Sequence, residues 1–454
     1  MARHNIEQFD FFYIALKTYV KFWFKIFYKK IEINGYEENV PKNVPVIFAS
    51  NHQNALIDAF AVLFSIPDHA VFLARSDIFE NPTNNRILTF LKIMPIFRIR
   101  DGIKNLSRNQ EIFEKTVDIL HKNRKLAILP EGNHAGFRKL RALKKGIARI
   151  TFQSAEKANF DMPIHIVPVG IEYGHYVNIR NTLFVNYGKP IDASKYYDDY
   201  KENPQRTMTE LLKELKGRMS ELMIDIQDDE NYQLYEDLRV IYRGEMFNKL
   251  KLKGSSLTNK FKSDKEFITY LEEILQSKDS DTEEFKKKVE LYNDNLEKLN
   301  LRDSVLTKKH NVFLVILQMI FGILILPIQI YGLLFNYLPY KIPVWFTEKK
   351  IKDVMFYSSF RLVLATLIFP IFYLIFYLIY GFVFEFDLNS LLFLVSMPLT
   401  GYVTIRNYIV LKKRWAQVRF ILGRMFKKSL LIETISLRNE IIVFLNKKIS
   451  ETKN

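Results

Sequence analysis

The sequence places a histidine and an aspartate close together at the start of a predicted helix. His52 follows a short apolar run at 46–48 that predicts a buried strand, and a helix is predicted to begin near Ala55. Asp58 comes six positions after His52. On one straight helix this spacing separates two side chains by about 240°, so they can meet only if His52 lies in the preceding turn. An imidazole held by a carboxylate is a general base that requires no nucleophile on the protein.

Such a pair alone is a weak signal, because most neighbouring His and Asp residues have no catalytic role. Three later segments strengthen it: IMPIFRIRDG at 93–102, LAILPEGNH at 126–134 and IHIVPVGIEY at 164–173. Each places polar groups at or just past a predicted strand end, where open α/β sheets bind their ligands. Arg98, Arg100 and Glu131 are therefore candidate site residues. The alternative is that the arginines are solvated charges and that Pro-Glu-Gly is an ordinary turn.

Taken in order, the four segments resemble the motifs of the glycerolipid acyltransferase family, which includes glycerol-3-phosphate and lysophosphatidic acid acyltransferases. The matching positions are Asn51, His52 and Asp58 for the first motif, Phe97 and Arg100 for the second, 129–132 for the third and 167–169 for the fourth. Residues 144–148 also match a Lys-x-Gly-x-Ala pattern that is frequent in the family. The resemblance covers about residues 31–195, which is under half of the chain.

The sequence departs from the usual motifs in three places. Five residues separate His52 from Asp58, one more than usual, and this spacing resembles that of fungal-type glycerol-3-phosphate/dihydroxyacetone-phosphate acyltransferases. Met94 stands where the family usually has Gly, and His134 stands where it usually has Arg. The missing arginine weakens the expectation of one phosphate contact. Nearby basic residues could replace it: Arg138, Lys139, Arg141, Lys144 and Lys145.

The resemblance implies acyl transfer from a thioester to an alcohol. His52 would remove the proton of a glycerol hydroxyl, and Asp58 would hold the imidazole in the required tautomer. No acyl-enzyme is needed, and the chain has no cysteine to form one. The donor substrate would be acyl-CoA or acyl carrier protein, with no other cofactor and no metal.

The resemblance also implies an acceptor-binding role for several residues. Arg100 would bind the phosphate of the acceptor, since a guanidinium offers a bidentate fork and stays charged. Arg98 and Lys145 are weaker candidates for the same contact. Glu131 would help to bind the glycerol moiety, and Gly132 would allow the backbone to approach closely.

The composition favours a lipid partner. The 454 residues include 66 Lys plus Arg and 50 Asp plus Glu, a formal net charge of +16, which suits either nucleic acid or anionic lipid. No nucleic-acid-binding motif is present, and long apolar segments favour lipid. The absence of cysteine excludes disulfides, and the eight histidines show no metal-ligand spacing. The abundance of Lys, Ile, Asn and Phe suggests a bacterial source and hence a bacterial inner membrane.

Residues 1–30 contain a predicted interfacial helix. Lysines recur every four residues, at 17, 21, 25 and 29, and the other faces carry aromatic and aliphatic residues. A spanning helix would not tolerate charges at its middle, and a secretory signal needs an uninterrupted apolar core. The pattern predicts a helix lying on anionic lipid. The alternative is an ordinary amphipathic helix packed on the next domain.

Residues 31–195 are predicted to form an α/β acyltransferase domain with a mixed sheet flanked by helices. Strands are predicted near 31–35, 45–49, 70–74, 94–99, 126–129, 165–171 and 183–187, and helices near 55–65, 85–92, 108–122 and 140–158. Residues 196–310 form a charged helical region, with helices near 206–225, 231–250, 264–277 and 283–299 and a loop at 252–263. This region could cap the acyltransferase domain or serve as a solvated linker.

Residues 311–411 are predicted to be membrane segments at 311–338, 362–384 and 388–411, since about 20 apolar residues span a bilayer core. Basic residues flank the first segment and follow the third, whereas only Glu385 and Asp387 separate the second from the third. The positive-inside rule then predicts a spanning hairpin with an acidic tip outside, and a first segment that is re-entrant near Pro327. Three simple spans are the alternative. Residues 412–454 would form a basic amphipathic tail on the lipid surface.

The sequence therefore predicts a membrane-bound acyltransferase with its active site facing the cytoplasm, acting on glycerol-3-phosphate or lysophosphatidic acid in phospholipid biosynthesis. The other enzymatic interpretation is a lysophospholipid or aminolipid O-acyltransferase with the same core. A third interpretation, of a different class, is a catalytically inactive scaffold that binds membrane lipids. Intact His52, Asp58, Arg100 and Glu131 argue against the scaffold.

Overall fold

The structure, a computed structural model, describes residues 6–96, 103–277, 280–307 and 311–452, with the backbone alone for 103–111. It divides into two units. The sheet unit comprises Met1–Gln227, Ser256–Phe261 and Lys350–Val363, and the helical unit comprises Asp228–Ser255, Lys262–Lys349 and Leu364–Asn454.

The described part of the sheet unit is built on eight strands that form one mixed sheet. The strands are β1 (Lys30–Asn34), β2 (Val46–Ser50), β3 (Ala70–Arg75), β4 (Ile93–Ile96), β5 (Lys125–Ile128), β6 (His165–Tyr173), β7 (Thr182–Tyr187) and β8 (Ile191–Asp192). Their order is β1-β7-β6-β2-β5-β3-β4, with β8 paired to β6. The neighbours β6, β2 and β5 run parallel, so their carboxyl ends meet at one edge. The β6–β7 and β6–β8 pairs are antiparallel, which confirms the predicted mixed sheet.

Helices cover both faces of this sheet. They are α1 (Phe11–Phe27), α2 (Tyr36–Asn39), α3 (Ala55–Ser65), α4 (Pro82–Phe90), α5 (Ile103–His121), α6 (Gly146–Lys157), α7 (Tyr197–Glu202) and α8 (Pro204–Leu222). Residues Ile47 and Ala49 of β2 join a core with α5, α6 and α8, whereas Val46 and Phe48 join a core with α1 and α3. Both faces of the central strand are therefore buried, which explains its uninterrupted apolar run.

Helix α1 packs on this unit by one face and exposes another. The buried side chains are Tyr13, Phe24 and Phe27. The exposed apolar side chains are Phe11, Phe12, Tyr19, Phe22 and Ile26. At 100° per residue, the lysine stripe lies between these two faces. One face of the helix therefore packs on the domain, and its exposed face carries apolar side chains bordered by lysines.

Two predicted boundaries are wrong because residues distant in the chain decide them. The helix predicted at 140–158 begins only at Gly146. Residues 140–145 are held beside the turn after β5 by hydrogen bonds such as that from Lys144 N–H to the Pro130 carbonyl at 2.8 Å. The predicted loop at 252–263 is wrong, since α11 (Leu257–Gln276) starts within it. The Glu32 carboxylate accepts the backbone N–H groups of Leu257 and Thr258 at 2.8 and 2.9 Å, which caps this helix.

The remaining helices continue through the second part of the chain. They are α9 (Tyr232–Ile241), α10 (Arg243–Lys249), α12 (Ser280–Leu299), α13 (Asp303–Leu306), α14 (Val312–Leu324), α15 (Leu326–Lys350), α16 (Tyr357–Phe384), α17 (Leu388–Phe426) and α18 (Lys428–Thr452). The C-terminal helix α18 packs along α12, where the rings of Phe285 and Phe444 stack with centroids 4.3 Å apart. Its apolar stripe, which includes Ile441 and Leu445, is buried within the helical unit.

Two helical stretches, Val354–Phe384 and Leu388–Phe426, are long and apolar enough to cross a membrane. A third span is possible by the same criteria if α14 and α15 count as one, although they are bent by 54° at their junction. Pro327 stands in the first turn of α15, where proline is tolerated because its missing N–H would be unpaired anyway. Asn407 donates to the Gln329 side chain at 2.7 Å, so polar groups of the bent pair find partners on α17. These helices indicate a membrane protein.

Candidate active site

The turn between β2 and α3 brings His52 and Asp58 together. His52 Nδ1 lies 2.8 Å from Asp58 Oδ2, and the carboxylate is fully buried while the imidazole is partly exposed. The histidine stays in the turn and the aspartate points back from the first turn of α3, as the spacing required. Ala55 takes a left-handed φ of 41°, a strained conformation that makes this tight path possible. The bond places a proton on Nδ1 and leaves Nε2 with a free electron pair.

Asp58 accepts hydrogen bonds from several donors besides His52. Its Oδ2 also accepts the backbone N–H groups of Gln53 and Asn54, both at 2.7 Å, and Oδ1 accepts the Tyr173 hydroxyl at 2.5 Å. Burial, and then the neighbouring Asp58 charge, raises the pKa of Tyr173 well above its usual value, so this hydroxyl remains a donor. These hydrogen bonds fix the orientation of the carboxylate, which is what an imidazole-orienting group requires.

Hydrogen bonds hold the turn that carries His52 at the end of β6. The Asn51 side chain pairs with the backbone of Ile171, donating to its carbonyl at 3.1 Å and accepting its N–H at 2.7 Å. The Asn54 side chain donates to the Tyr176 carbonyl at 3.0 Å, and the Tyr176 hydroxyl donates to Gln53 at 3.0 Å. These paired amides keep the turn from sliding along the neighbouring strand.

Glu131 supports the same turn from the end of β5. Its Oε1 accepts the backbone N–H of His52 at 2.7 Å, and its Oε2 accepts Arg141 Nε at 2.9 Å. Burial raises the pKa of Glu131, although the hydrogen bonds from His52 and Arg141 act in the opposite direction. The resemblance implied a contact with the glycerol moiety, and the structure adds a direct link between this carboxylate and the backbone of His52.

Gly132 follows in a left-handed conformation with φ of 70°, which favours glycine at this position. Its N–H donates to the Leu129 carbonyl at 3.0 Å, closing the turn after β5. A Cβ added here would lie 3.5 Å from Lys144 Cγ, an ordinary contact distance, so the constraint comes from the backbone angle. The exposed Lys144 thus runs beside the motif turn.

The cations predicted to bind phosphate fall into three groups. Arg98 and Arg100 lie outside the described residues. Lys145 is exposed and donates to the Gln205 side chain at 3.3 Å. Arg138 is one possible substitute for the missing motif arginine. It is buried and pairs with Glu172 at 3.1 Å, so its role is to stabilise the fold rather than to bind phosphate.

His134 has a partner that sequence reasoning missed. Its Nε2 lies 2.8 Å from Asp353 Oδ2, and its ring makes edge contacts with His52 and Phe356 at centroid distances of 5.4 and 4.7 Å. Tyr173 and Arg75 were also missed. Arg75 ends β3 and donates to the Asn133 side chain at 3.1 Å. For Arg75 a signal existed, since it is a charged residue that closes an apolar run.

No cluster of three or more potential metal-ligating side chains occurs among the described residues. The site therefore consists of one imidazole-carboxylate pair, a buried supporting glutamate and nearby cations. This arrangement can activate a hydroxyl group.

Comparisons with known proteins agree with the motifs. A model of the family described as Acyltransferase matches residues 30–172. Glycerol-3-phosphate O-acyltransferase 2 of Saccharomyces cerevisiae (strain ATCC 204508 / S288c) is 26% identical over 221 residues, which cover 46% of this chain and 28% of that protein. Glycerol-3-phosphate O-acyltransferase 1 of the same yeast is 26% identical over 144 residues, covering 31% and 19% respectively. The chain thus matches less than a third of each yeast relative.

Among solved structures, the 1-acyl-sn-glycerophosphate (LPA) acyltransferase PlsC from Thermotoga maritima is similar with a TM-score of 0.30 and 18% identity, covering 45% of this chain and 80% of that chain. The family match confirms the identification made from the motifs. The residues that match the Acyltransferase family model, 30–172, are followed by apolar helices of membrane-spanning length.

Proposed function

We propose that this protein is a membrane-bound O-acyltransferase of phospholipid biosynthesis. It transfers a fatty acyl group from a thioester, acyl-CoA or acyl carrier protein, to a hydroxyl of glycerol-3-phosphate or lysophosphatidic acid. The observation that carries the proposal is the partly exposed His52 imidazole, bonded at 2.8 Å to a buried carboxylate with three further donors. The names of the yeast relatives support glycerol-3-phosphate as the acceptor.

The proposed reaction proceeds without a covalent enzyme intermediate. His52 Nε2 takes the proton of the acceptor hydroxyl as its oxygen forms a bond to the thioester carbonyl carbon. Asp58 holds the Nδ1 proton and stabilises the imidazolium. The carbon–sulfur bond then breaks, and the departing thiolate takes the proton from Nε2. The products are an acyl ester and a free thiol, and His52 returns to its starting state.

The acceptor phosphate is proposed to bind the cations near the motif turns. Arg100 is assigned the main contact, with Arg98 and Lys145 as further donors, because guanidinium and ammonium groups suit a phosphate dianion. Lys144, which is exposed beside Gly132, is a further candidate for this contact. Glu131 has no exposed side-chain surface, and its oxygens accept the His52 N–H and the Arg141 guanidinium, so its proposed part in acceptor binding is to position these two groups.

An acceptor panel tests this function. Purified full-length protein in detergent is incubated with labelled acyl-CoA and, in parallel, glycerol-3-phosphate, dihydroxyacetone phosphate, lysophosphatidic acid, a lysophospholipid and an aminolipid. We expect labelled product with glycerol-3-phosphate or lysophosphatidic acid. Repeating the panel with acyl carrier protein identifies the donor. Product with the lysophospholipid or aminolipid alone would reassign the acceptor, and turnover of no acceptor from either donor would contradict the enzyme assignment.

The proposed location is a bacterial inner membrane with the active site on the cytoplasmic side. Basic residues precede α16 and follow the apolar part of α17, whereas Glu385 and Asp387 lie between the two helices. By the positive-inside rule this acidic turn lies outside. The chain has no cysteine, so a single introduced cysteine can be labelled cleanly. In intact spheroplasts, an impermeant maleimide should label Glu385→Cys and spare Glu451→Cys, and the reverse pattern would invert the topology.

The N-terminal helix is proposed to contact anionic lipid through its exposed face. A cavity of about 370 Å³ beside it is lined by Lys21, Lys25 and Lys29 together with apolar groups that include Phe24 and Phe64. Such a surface combines cations with an apolar floor, as interfacial helices do. An environment-sensitive dye on Phe22→Cys should report a less polar environment when the protein moves from neutral to anionic nanodiscs. A dye on the exposed Lys195→Cys serves as control, and equal responses would exclude the contact.

A further inference from the structure

The segment that leads into α16 lies across the turn that carries His52. Asp353 begins it by accepting the Met355 N–H at 2.9 Å and the His134 Nε2–H at 2.8 Å. The Ser358 hydroxyl donates to the Tyr176 carbonyl at 2.5 Å, so the segment is fastened to the ends of both β5 and β6. Residues 353–358, named here the strap, thus contact the two loops that flank the catalytic turn.

Besides these hydrogen bonds, the strap makes close packing contacts with neighbouring residues. A Cβ added at Gly136 would lie 2.5 Å from Met355 Sδ, so the Met355 side chain packs directly against this glycine. Just past the strap, Leu362 is buried in the core shared by α1 and α3. These packing contacts add to the hydrogen bonds that hold the strap beside the turn that carries His52.

His134 connects the strap to the catalytic imidazole. Its ring lies between those of Phe356 and His52, at centroid distances of 4.7 and 5.4 Å, and meets both edge to face. The His134 side chain is only 11% exposed, whereas that of its partner Asp353 is 51% exposed. His52 itself is bonded through Nδ1 alone among its described side-chain contacts. The ring contact with His134 therefore limits how far His52 can tilt about that bond.

We propose that Asp353 is a positioning residue for the reaction: it orients His134, and His134 in turn holds the imidazole of His52 in its reactive orientation. The inference rests on the proposed function and extends it to a residue outside the matched acyltransferase domain. It also accounts for a histidine at the motif position where arginine is usual. An imidazole can bond the strap through Nε2 while the same ring contacts His52 edge to face.

Full-length variants test the inference. Asp353→Ala and His134→Ala should each lower kcat by about 100-fold, since a misplacement of about 1 Å in a reacting group costs that much, while KM for the acceptor changes little. The double variant should be no slower than the slower of the two single variants, because Asp353 acts on His52 only through His134. Asp353→Asn keeps an oxygen acceptor for His134 and should restore most of the rate. Asp198→Ala, which removes an exposed ion pair with Lys201 on α7, is the matched control.

A second readout separates this inference from the proposed function. Diethyl pyrocarbonate modifies free imidazole nitrogens, and mass spectrometry gives the rate at His52. We expect several-fold faster modification in Asp353→Ala and no change in Asp198→Ala, with thermal unfolding showing that both remain folded. If the wild type turns over no acceptor and this pattern still appears, the positioning stands and the function fails. Unchanged modification in a folded Asp353→Ala protein overturns the positioning, whatever its rate.

Discussion

Replacing His52 with Ala is expected to lower the rate of acyl transfer by about 10²–10⁴-fold or more, because removal of a general base costs that much. The protein should remain folded, since the imidazole is partly exposed and its side-chain hydrogen bond goes to Asp58 alone among the described residues. Its backbone N–H, which Glu131 accepts, is unaffected by the change. Initial rates at saturating donor and acceptor, with circular dichroism of the same sample, give the measurement.

His121→Ala is the control for that experiment. His121 is exposed at the end of α5, where its ring lies 3.4 Å from the Ser154 carbonyl, and it belongs to no part of the site. We expect this variant to retain the wild-type rate. A His52→Ala protein with near-normal turnover would show that another group removes the proton, and the mechanism would be wrong.

Replacing Asp58 with Asn is expected to reduce kcat by about 10³–10⁴-fold, in line with the loss of about 10⁴ when the carboxylate of a catalytic triad is made an amide. The amide has the same shape, and its oxygen can still accept the hydrogen bond from Nδ1–H. It carries no charge, so it stabilises the imidazolium less. Substrate binding should change little, which kcat and KM measured separately will show.

Asn is the appropriate replacement, since Ala would leave the Gln53 and Asn54 N–H groups and the Tyr173 hydroxyl without their buried partner. Tyr173→Phe is the matched control, because it removes one donor to Asp58 and leaves the charge in place. It should lose far less activity than Asp58→Asn. Equal losses in the two variants would mean that packing around the carboxylate matters and its charge does not.

Local patterns in the chain were enough to predict that His52 and Asp58 lie together. Strand β2 is a continuous apolar run because both its faces are buried, and α3 spans Ala55–Ser65, the same residues as predicted. The spacing of His52 and Asp58 excluded one straight helix, and the structure has the turn that this argument demanded. The order of four short motifs then pointed to the acyltransferase family.

The contacts that support His52 and Asp58 could not be predicted from local sequence patterns, because they join distant parts of the chain. Tyr173 reaches Asp58 across 115 positions, and Asp353 reaches His134 across 219. No local pattern marks such partners, since each depends on which strands are neighbours and where a later segment packs. Glu131 illustrates the same difficulty: its motif indicated a binding residue, whereas its bond to the His52 backbone required the parallel pairing of β2 and β5.

His52 is proposed to activate the acceptor hydroxyl for direct attack on the thioester. To test this step, purified protein is mixed with radiolabelled acyl-CoA, with and without glycerol-3-phosphate, and label is counted in protein and in lipid after rapid quenching. We expect label in the acylated acceptor, none bound covalently to the protein, and neither product in His52→Ala. Acyl-labelled protein that forms without acceptor and discharges to it on addition would show that a covalent enzyme intermediate carries the acyl group, and direct attack would be wrong.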